Sequence, residues 1–431
     1  MKLTRLISCL SLASLLVPAA AQTDATQLYG TVTTVEGTRY TGPIRWGKEE
    51  ASWFDLFNAN KDENPYSRYL TERGSTNTAP PAPGTPPTPP TPPTPPQRGE
   101  DNWSWNWNWG GKRVYAYGSG YAVTHLFAVP FGAISKVVVM GREEAEVTLR
   151  DGKRYTFDGG SNDLGATLQV VDPEIGTLSL EWTRVRSVEF ADSPARTEKR
   201  FGNVLYGTVE TYAGSFTGFI QWDHDERLDT DKLDGDTRDG DVAIDFGNIK
   251  TIARDGLGVN VVLKSGRELR LTGSNDVNSD NRGIIVYSPE NGGVDIPWRE
   301  FRTVTFASAA PNRPTFADYK SVGALTGTVK TLGGTTYTGR LVYDLDEEAG
   351  YELIQGKEKG LDFELPLFLI KRILPKGSYG ATVILKSGTS LFLEGTQDVS
   401  ADHDGVLIFK NSTDTQPQYV RWNDIEEIVF D

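Results

Sequence analysis

The chain has 431 residues, with 58 acidic against 44 basic side chains, a formal charge of −14 and a single cysteine. An acidic excess of this size, with no basic stripe to offset it, repels phosphate backbones and excludes nucleic acid as a partner. One cysteine excludes a disulfide framework and cysteine-ligated zinc, so stability has to come from cores large enough to stand alone.

In chain order, Lys2 and Arg5 precede an apolar stretch from Leu6 to Val17, and Pro18 with Ala19, Ala20 and Ala21 follows. That is the three-part pattern of a secretory signal peptide over residues 1–21, with an apolar run too short to span a bilayer. The mature chain is expected to be periplasmic, cell-surface or secreted. It would have no transmembrane segment and, with Cys9 removed, no cysteine. Losing Lys2 and Arg5 takes its formal charge from −14 to −16.

Three stretches then read alike. Leu28 to Trp46, Leu205 to Trp222 and Leu325 to Tyr343 share a G-T-V-x-T start, a glycine-bearing turn and a T-G-x-I/L/V end. Ala145 to Tyr155, Val259 to Leu269 and Ala381 to Leu391 form a second block, and Trp182 to Phe190, Trp298 to Phe306 and Trp422 to Phe430 a closing one. Alternating apolar and polar residues rich in Thr, Val, Tyr and Ile predict strands. Gly37, Gly214 and Gly334 in the first turn, and Gly152, Gly266 and Gly388 in the second, predict hairpins with positive φ at those glycines. The expected architecture is all-β: three tandem antiparallel repeats of about a hundred residues, a usual domain size. They are placed at residues 28–192, 205–307 and 325–431. Helical periodicity surfaces only near Ala51 to Asn58, where Trp53, Phe54 and Phe57 suggest about two turns.

The first repeat carries an insertion at about 54–126. Ala79 to Pro96 is a Thr-Pro-Pro run, which predicts an extended, solvated arm. Trp103, Trp105, Trp107 and Trp109 follow at a spacing of two, which places all four on one face of a strand. Such a face either buries itself against the first repeat or stands exposed as a partner-binding surface. Residues 193–203 and 309–321 have linker composition, which predicts separate domains.

Each repeat also reads as doubled: a hairpin and an I-x-F…I-x-x-I strand at Ile244, Phe246, Ile249 and Ile252, then a V-x-L-x-x-G-x-x-L hairpin and I-P-W…F-x-x-V at Ile296, Trp298, Phe301 and Val304. This resembles the SH3-like or Sm-like small barrel. The resemblance implies two half-barrels per repeat and no particular activity. The competing architecture is one larger sandwich per repeat, with both halves sharing a core.

Chemistry-bearing patterns are sparse. His125, His224 and His403 are widely spaced and accompany no nucleophile elbow, H-E-x-x-H, Walker or dinucleotide motif, so each is expected to be an ordinary surface residue and no catalytic residue is assigned. Asp229, Asp231, Asp234, Asp236 and Asp239 are the candidate metal ligands. Their Asp-x-Asp and Asp-Gly-Asp spacings can turn carboxylates toward calcium, and the competing reading is a solvated acidic loop. Asp163, Asp276 and Asp398 close a recurring Gly-x-x-Asp that reads as a structural turn. The expected function is a non-enzymatic binding or scaffolding role in a bacterial-type cell envelope. Its partner would be an envelope or surface protein, or a glycan, with the four tryptophans as the contact. The alternative is a calcium-dependent or glycan-binding module. No cofactor besides calcium enters either reading.

Overall fold

The computed structural model describes residues 24–61, 66, 115–117, 120–122, 125–159, 163–194, 201–307, 313–319, 323–411 and 413–431. Residues 1–21, expected to be a signal peptide, the Thr-Pro-Pro run and the four tryptophans of 103–109 lie outside them. Among the described residues strands make up 56% and no helix reaches seven residues, so the fold is all-β. No helix among the described residues is long and apolar enough to cross a membrane.

The first segment builds β1 (Tyr29–Thr34), β2 (Arg39–Trp46), β3 (Leu56–Lys61), β4 (Tyr115–Tyr117), β5 (Gly120–Ala122), β6 (His125–Pro130), β7 (Ile134–Val139), β8 (Glu144–Leu149), β9 (Arg154–Asp158), β10 (Leu168–Asp172), β11 (Gly176–Leu180) and β12 (Val185–Phe190). The second contributes β13 (Tyr206–Thr211), β14 (Ser215–Trp222), β15 (Lys232–Thr237), β16 (Gly240–Asp245), β17 (Ile249–Asp255), β18 (Gly258–Leu263), β19 (Glu268–Leu271), β20 (Ile284–Ser288), β21 (Gly292–Ile296) and β22 (Phe301–Phe306). The third contributes β23 (Thr326–Thr331), β24 (Thr336–Tyr343), β25 (Leu353–Glu358), β26 (Leu361–Pro366), β27 (Ile370–Lys376), β28 (Gly380–Leu385), β29 (Ser390–Glu394), β30 (Val406–Phe409), β31 (Gln418–Val420) and β32 (Ile425–Phe430).

The first segment's sheet runs β11-β10-β2-β1-β12-β7-β8-β9-β3-β6. The third segment pairs in the corresponding order, β31-β30-β24-β23-β32-β27-β28-β29-β25-β26. The second does the same through β19, and a bridge from Thr272 to Asp236 links it to the β15–β16 hairpin. The six turn glycines sit at φ between 81° and 155°, and a side chain there would meet no steric neighbour, so backbone conformation alone selects glycine. Paired threonines lock the first hairpin of each segment across the strands: Thr31–Thr41 at 2.8 Å, Thr208–Thr217 at 2.8 Å and Thr328–Thr338 at 2.9 Å.

Both halves of a segment contribute to one core. In the first, Val32, Ile44 and Trp46 share a buried cluster with Val137, Val147, Leu168 and Val188. An edge-to-face ring pair joins the halves: Trp46 against Trp182 at 5.8 Å, Trp222 against Trp298 at 6.1 Å, and Tyr343 against Trp422 at 6.2 Å. The expected helix at 51–58 is absent. Residues 53–54 turn, and Leu56–Lys61 pairs in full register with His125–Pro130, because alternation at Phe57 and Ala59 puts both side chains into the core. The insertion therefore begins after Lys61 rather than near residue 54.

The segments are fused, in contrast to the separate domains that linker composition suggests. β21 pairs with β26 (Gly293↔Glu364, Val294↔Phe363, Asp295↔Asp362), joining the second and third sheets edge to edge. Phe54 of the first segment stacks on Tyr287 of the second, 5.1 Å between centroids and 3° between planes, and Asp55 pairs with Arg227 in a buried ion pair. Glu348 of the third accepts from Tyr155 (3.2 Å) and pairs with Lys153 (3.2 Å) of the first. The connecting residues 313–319 are packed as well: Phe316 lies 4.6 Å from the Trp53 ring and under the Arg150 guanidinium at 3.9 Å.

Candidate functional site

The most chemically charged places in the fold are the tight turns that follow β2, β14 and β24. Each closes on a bridge to a glutamate, Trp46 to Glu50, Trp222 to Glu226 and Tyr343 to Glu347. The turns require positive φ, taken by Gly47 (62°), by Asp223 (48°) and His224 (61°), and by Asp344 (48°) and Leu345 (59°). Asn, Asp and Gly tolerate this region best, which explains Gly47, Asp223 and Asp344; Leu345 and His224 are held there by burial. A carboxylate nine residues past the ring then accepts two backbone N–H groups of the loop. Asp55 takes Ala51 and Ser52, Asp231 takes Arg227 and Leu228, and Glu352 takes Glu348 and Ala349.

The Gly-x-x-Asp residues complete the arrangement. Asp163, Asp276 and Asp398 accept the N–H of Asn58 (2.6 Å), Asp234 (2.8 Å) and Gln355 (2.7 Å). Their own carbonyls accept from the indole N–H of Trp46 and Trp222, at 2.9 Å each, and from the hydroxyl of Tyr343. The aspartate thus satisfies a strand N–H with its side chain and a buried ring with its backbone, a structural task that accounts for its place in all three segments.

Carboxyl groups are crowded as a result. In the second segment, oxygens of Asp223, Glu226 and Asp276 lie within 4.8 Å of one another, and in the third those of Asp344, Asp346 and Glu347 do so. Burial, reinforced by Asp276 and Asp225, pushes Glu226 up to about 9, and burial with Asp223 pushes Asp276 up to about 6. In the first segment burial raises Glu50 well above the carboxylate range, with Asp163 adding to the effect, and raises Asp163 to about 8 against the pull of the Asn58 N–H. At neutral pH Glu226 and Asp163 therefore hold their protons within these crowded groups. In the second segment two of the three carboxylates are already engaged. Asp223 accepts from Asn275 and from the Arg282 N–H, the Arg282 guanidinium reaches Asp225 at 2.6 Å, and Asp276 is bonded to Asp234, whereas calcium needs six to eight oxygens.

The five acidic residues singled out in the sequence are not brought together: no three place carboxylate oxygens within 4.8 Å of one another. Asp229 accepts twice from Asn203, and Asp231 pairs with Arg45 at 2.7 Å besides closing its loop. Asp234 and Asp236 lie on β15 and Asp239 in the turn to β16, all three exposed. The segment is a regular hairpin because Leu233 and Gly235 point into the core between the aspartates.

Two histidines also differ from expectation. His224 is 8% exposed and 3.1 Å from Asp295; burial disfavours its charge, but Asp295 outweighs that and the imidazole titrates above the usual range. His403 is 1% exposed, stacked on Trp422 at 4.2 Å, with its Nδ1 accepting from the Gly405 N–H at 2.8 Å. The groups that cover them, Asp295 for His224 and Trp422 for His403, come from later strands and turns, so the adjacent sequence carries no sign of burial. The side chain of His125 lies outside the described residues.

The candidate partner-binding tryptophans also lie outside them, but the root of their insertion does not. β3 and β6 pair over six residues, Leu56↔Pro130 to Lys61↔His125, where the equivalent hairpins close with Arg238-Asp239 and Lys359-Gly360. Tyr66, just beyond β3, donates to Glu348 of the third segment at 2.9 Å. No protein-family model, no curated protein and no solved structure matches the chain.

Proposed function

We propose that the protein is an exported, non-enzymatic binding or scaffolding component of a bacterial-type cell envelope. Its fused β framework would hold residues 62–124 out as the attachment element. The observation carrying this reading is the position of the insertion: it replaces a two-residue turn at the end of a hairpin whose two strands keep full register, so it is built onto a rigid base. Its Trp103, Trp105, Trp107 and Trp109 supply the aromatic anchors that dominate interface energies, and its proline run supplies reach. The leader pattern supports export.

The test compares three proteins in envelope capture and in denaturation: full length, a variant with residues 62–124 replaced by Asp-Gly, and a variant with all four tryptophans changed to serine. Binding through the insertion predicts that both variants lose a saturable partner and that the serine variant keeps its melting temperature. A loss of several kcal/mol in the serine variant, the cost of truncating buried aromatics at about 3–5 kcal/mol each, would instead make them core residues. Immobilised cell-wall glycan as bait, with and without chelator, separates a protein partner from the glycan-binding and calcium-dependent forms of this reading.

A further inference from the structure

Where all three segments meet lies a cavity of about 260 Å³. Ala133 and Leu149 of the first segment, Tyr287 of the second, Tyr319 of the connecting residues, and Tyr351 and Phe368 of the third form its walls. We propose that this cavity binds an uncharged, flat aromatic molecule of one or two rings, and that the occupant ties the three segments together.

The walls are built and held in place before any ligand arrives. Tyr319 fits only because residue 132 is glycine, since a Cβ there would lie 2.1 Å from its ring. Arg150 donates to the carbonyls of Phe316 and Tyr319 (3.1 Å to the latter), clamping the connection onto the first segment. Preformed, mainly apolar cavities at such junctions are where small ligands bind.

Size and lining set the ligand class. An apolar cavity of about 150 Å³ accepts benzene, so the space here admits a second ring. Four aromatic rings from three parts of the chain offer stacked and edge-on contacts to a flat solute. The charged groups at the cavity are already engaged: Arg150 with its two carbonyls and the Phe316 face, Asp151 with the Lys153 N–H at 2.9 Å, and Asp318 with Thr315 at 2.8 Å. Two carboxylates, Asp151 and Asp318, stand against one guanidinium, Arg150, so an anionic ligand would give up its hydration to meet a net negative lining, and the cavity selects against anions.

The experiment uses the full-length protein with benzene, indole and naphthalene as uncharged probes and 2-naphthoate as the charged control, read by calorimetry and thermal shift. Saturable binding of indole or naphthalene is expected, with a melting temperature that climbs with the logarithm of probe concentration. Naphthoate should bind at least tenfold more weakly. Ala133→Leu should cut naphthalene affinity at least tenfold without lowering the melting temperature of the free protein. Leucine suits that backbone, because Leu369 ends the corresponding short turn of the third segment (Leu367–Leu369, against Phe131–Ala133). Phe368→Ala, which widens the cavity, should shift preference from benzene toward naphthalene and serves if the leucine variant folds poorly. The proposal is overturned if no uncharged probe saturates, if naphthoate binds as well as naphthalene, or if affinity is unchanged in both variants.

Discussion

Glu226 shows what crowding does to a single residue. Its carboxyl is pushed up to about 9 by burial and by surrounding aspartates, so the native state holds its proton more tightly than the unfolded chain does. That preference is fully present below the unfolded value near 4.5 and is lost as pH rises through 9. Gln in place of Glu226 mimics the protonated form and removes the dependence. Urea denaturation at pH 5, 7 and 9 should show the wild type losing stability relative to Glu226→Gln by about 1 kcal/mol per pH unit across that window. Parallel pH profiles for the two proteins would mean that Glu226 is ionised in the fold. None of this crowding was legible in the sequence. Asp223, Glu226 and Asp276 approach because the turn after β14 bridges back on itself and the Gly-x-x-Asp loop docks beneath it, a contact across some fifty residues.

At the scale of elements, the acidic stretch of the second segment divides into aspartates with structural partners and aspartates without. Asp231 accepts two loop N–H groups and pairs with Arg45, so Asp231→Ala strips a cap and leaves a largely buried guanidinium without its carboxylate. A loss of about 2–4 kcal/mol is expected, combining a cap of ~1 kcal/mol with the cost of a broken, partly buried pair. Changing Asp234, Asp236 and Asp239 together to Asn should stay within about 0.5 kcal/mol per residue, the range of exposed positions. Adding millimolar calcium should move the melting temperature of neither the wild type nor the triple variant. A calcium-dependent rise in the wild type alone would restore the metal reading. Here the sequence misled in an instructive way. Composition marks this stretch as a loop, yet Leu233 and Gly235 alternate with the aspartates, and that period-two pattern is the strand signal that decides the structure. The hairpins of Gly37 and Gly152, by contrast, were plain from sequence because a local turn needs only local residues.

For the whole molecule, the decisive question is whether the three segments stand or fall together. The linker-like composition of residues 309–321 points to independence, and the buried contacts of the described residues 313–319 point the other way. Sequence could not anticipate this, because Phe54 sits in a turn that only a partner from another segment buries. Its neighbours Phe219 and Tyr287 lie far along the chain, at centroid distances of 4.6 and 5.1 Å. The ion pair beside them, Arg227 with Asp55, is 2% and 7% exposed and helps fix the register of the two surfaces. A double-mutant cycle of Phe54→Ala and Tyr287→Ala isolates the stacked pair from the area each ring buries on its own. Each single change should cost about 3–5 kcal/mol as an aromatic truncation in a core. The pair should show a coupling energy of about 0.5–1.5 kcal/mol, the usual value for rings in contact. Because the segments share buried surface, each variant should also shift one common unfolding transition instead of splitting off an early one. Strictly additive losses, together with a separate transition for the first segment, would mean that the interface is not maintained in solution. Coupling within the expected range would place the Phe54–Tyr287 contact in the native state, and with it the rigid base on which the insertion is mounted.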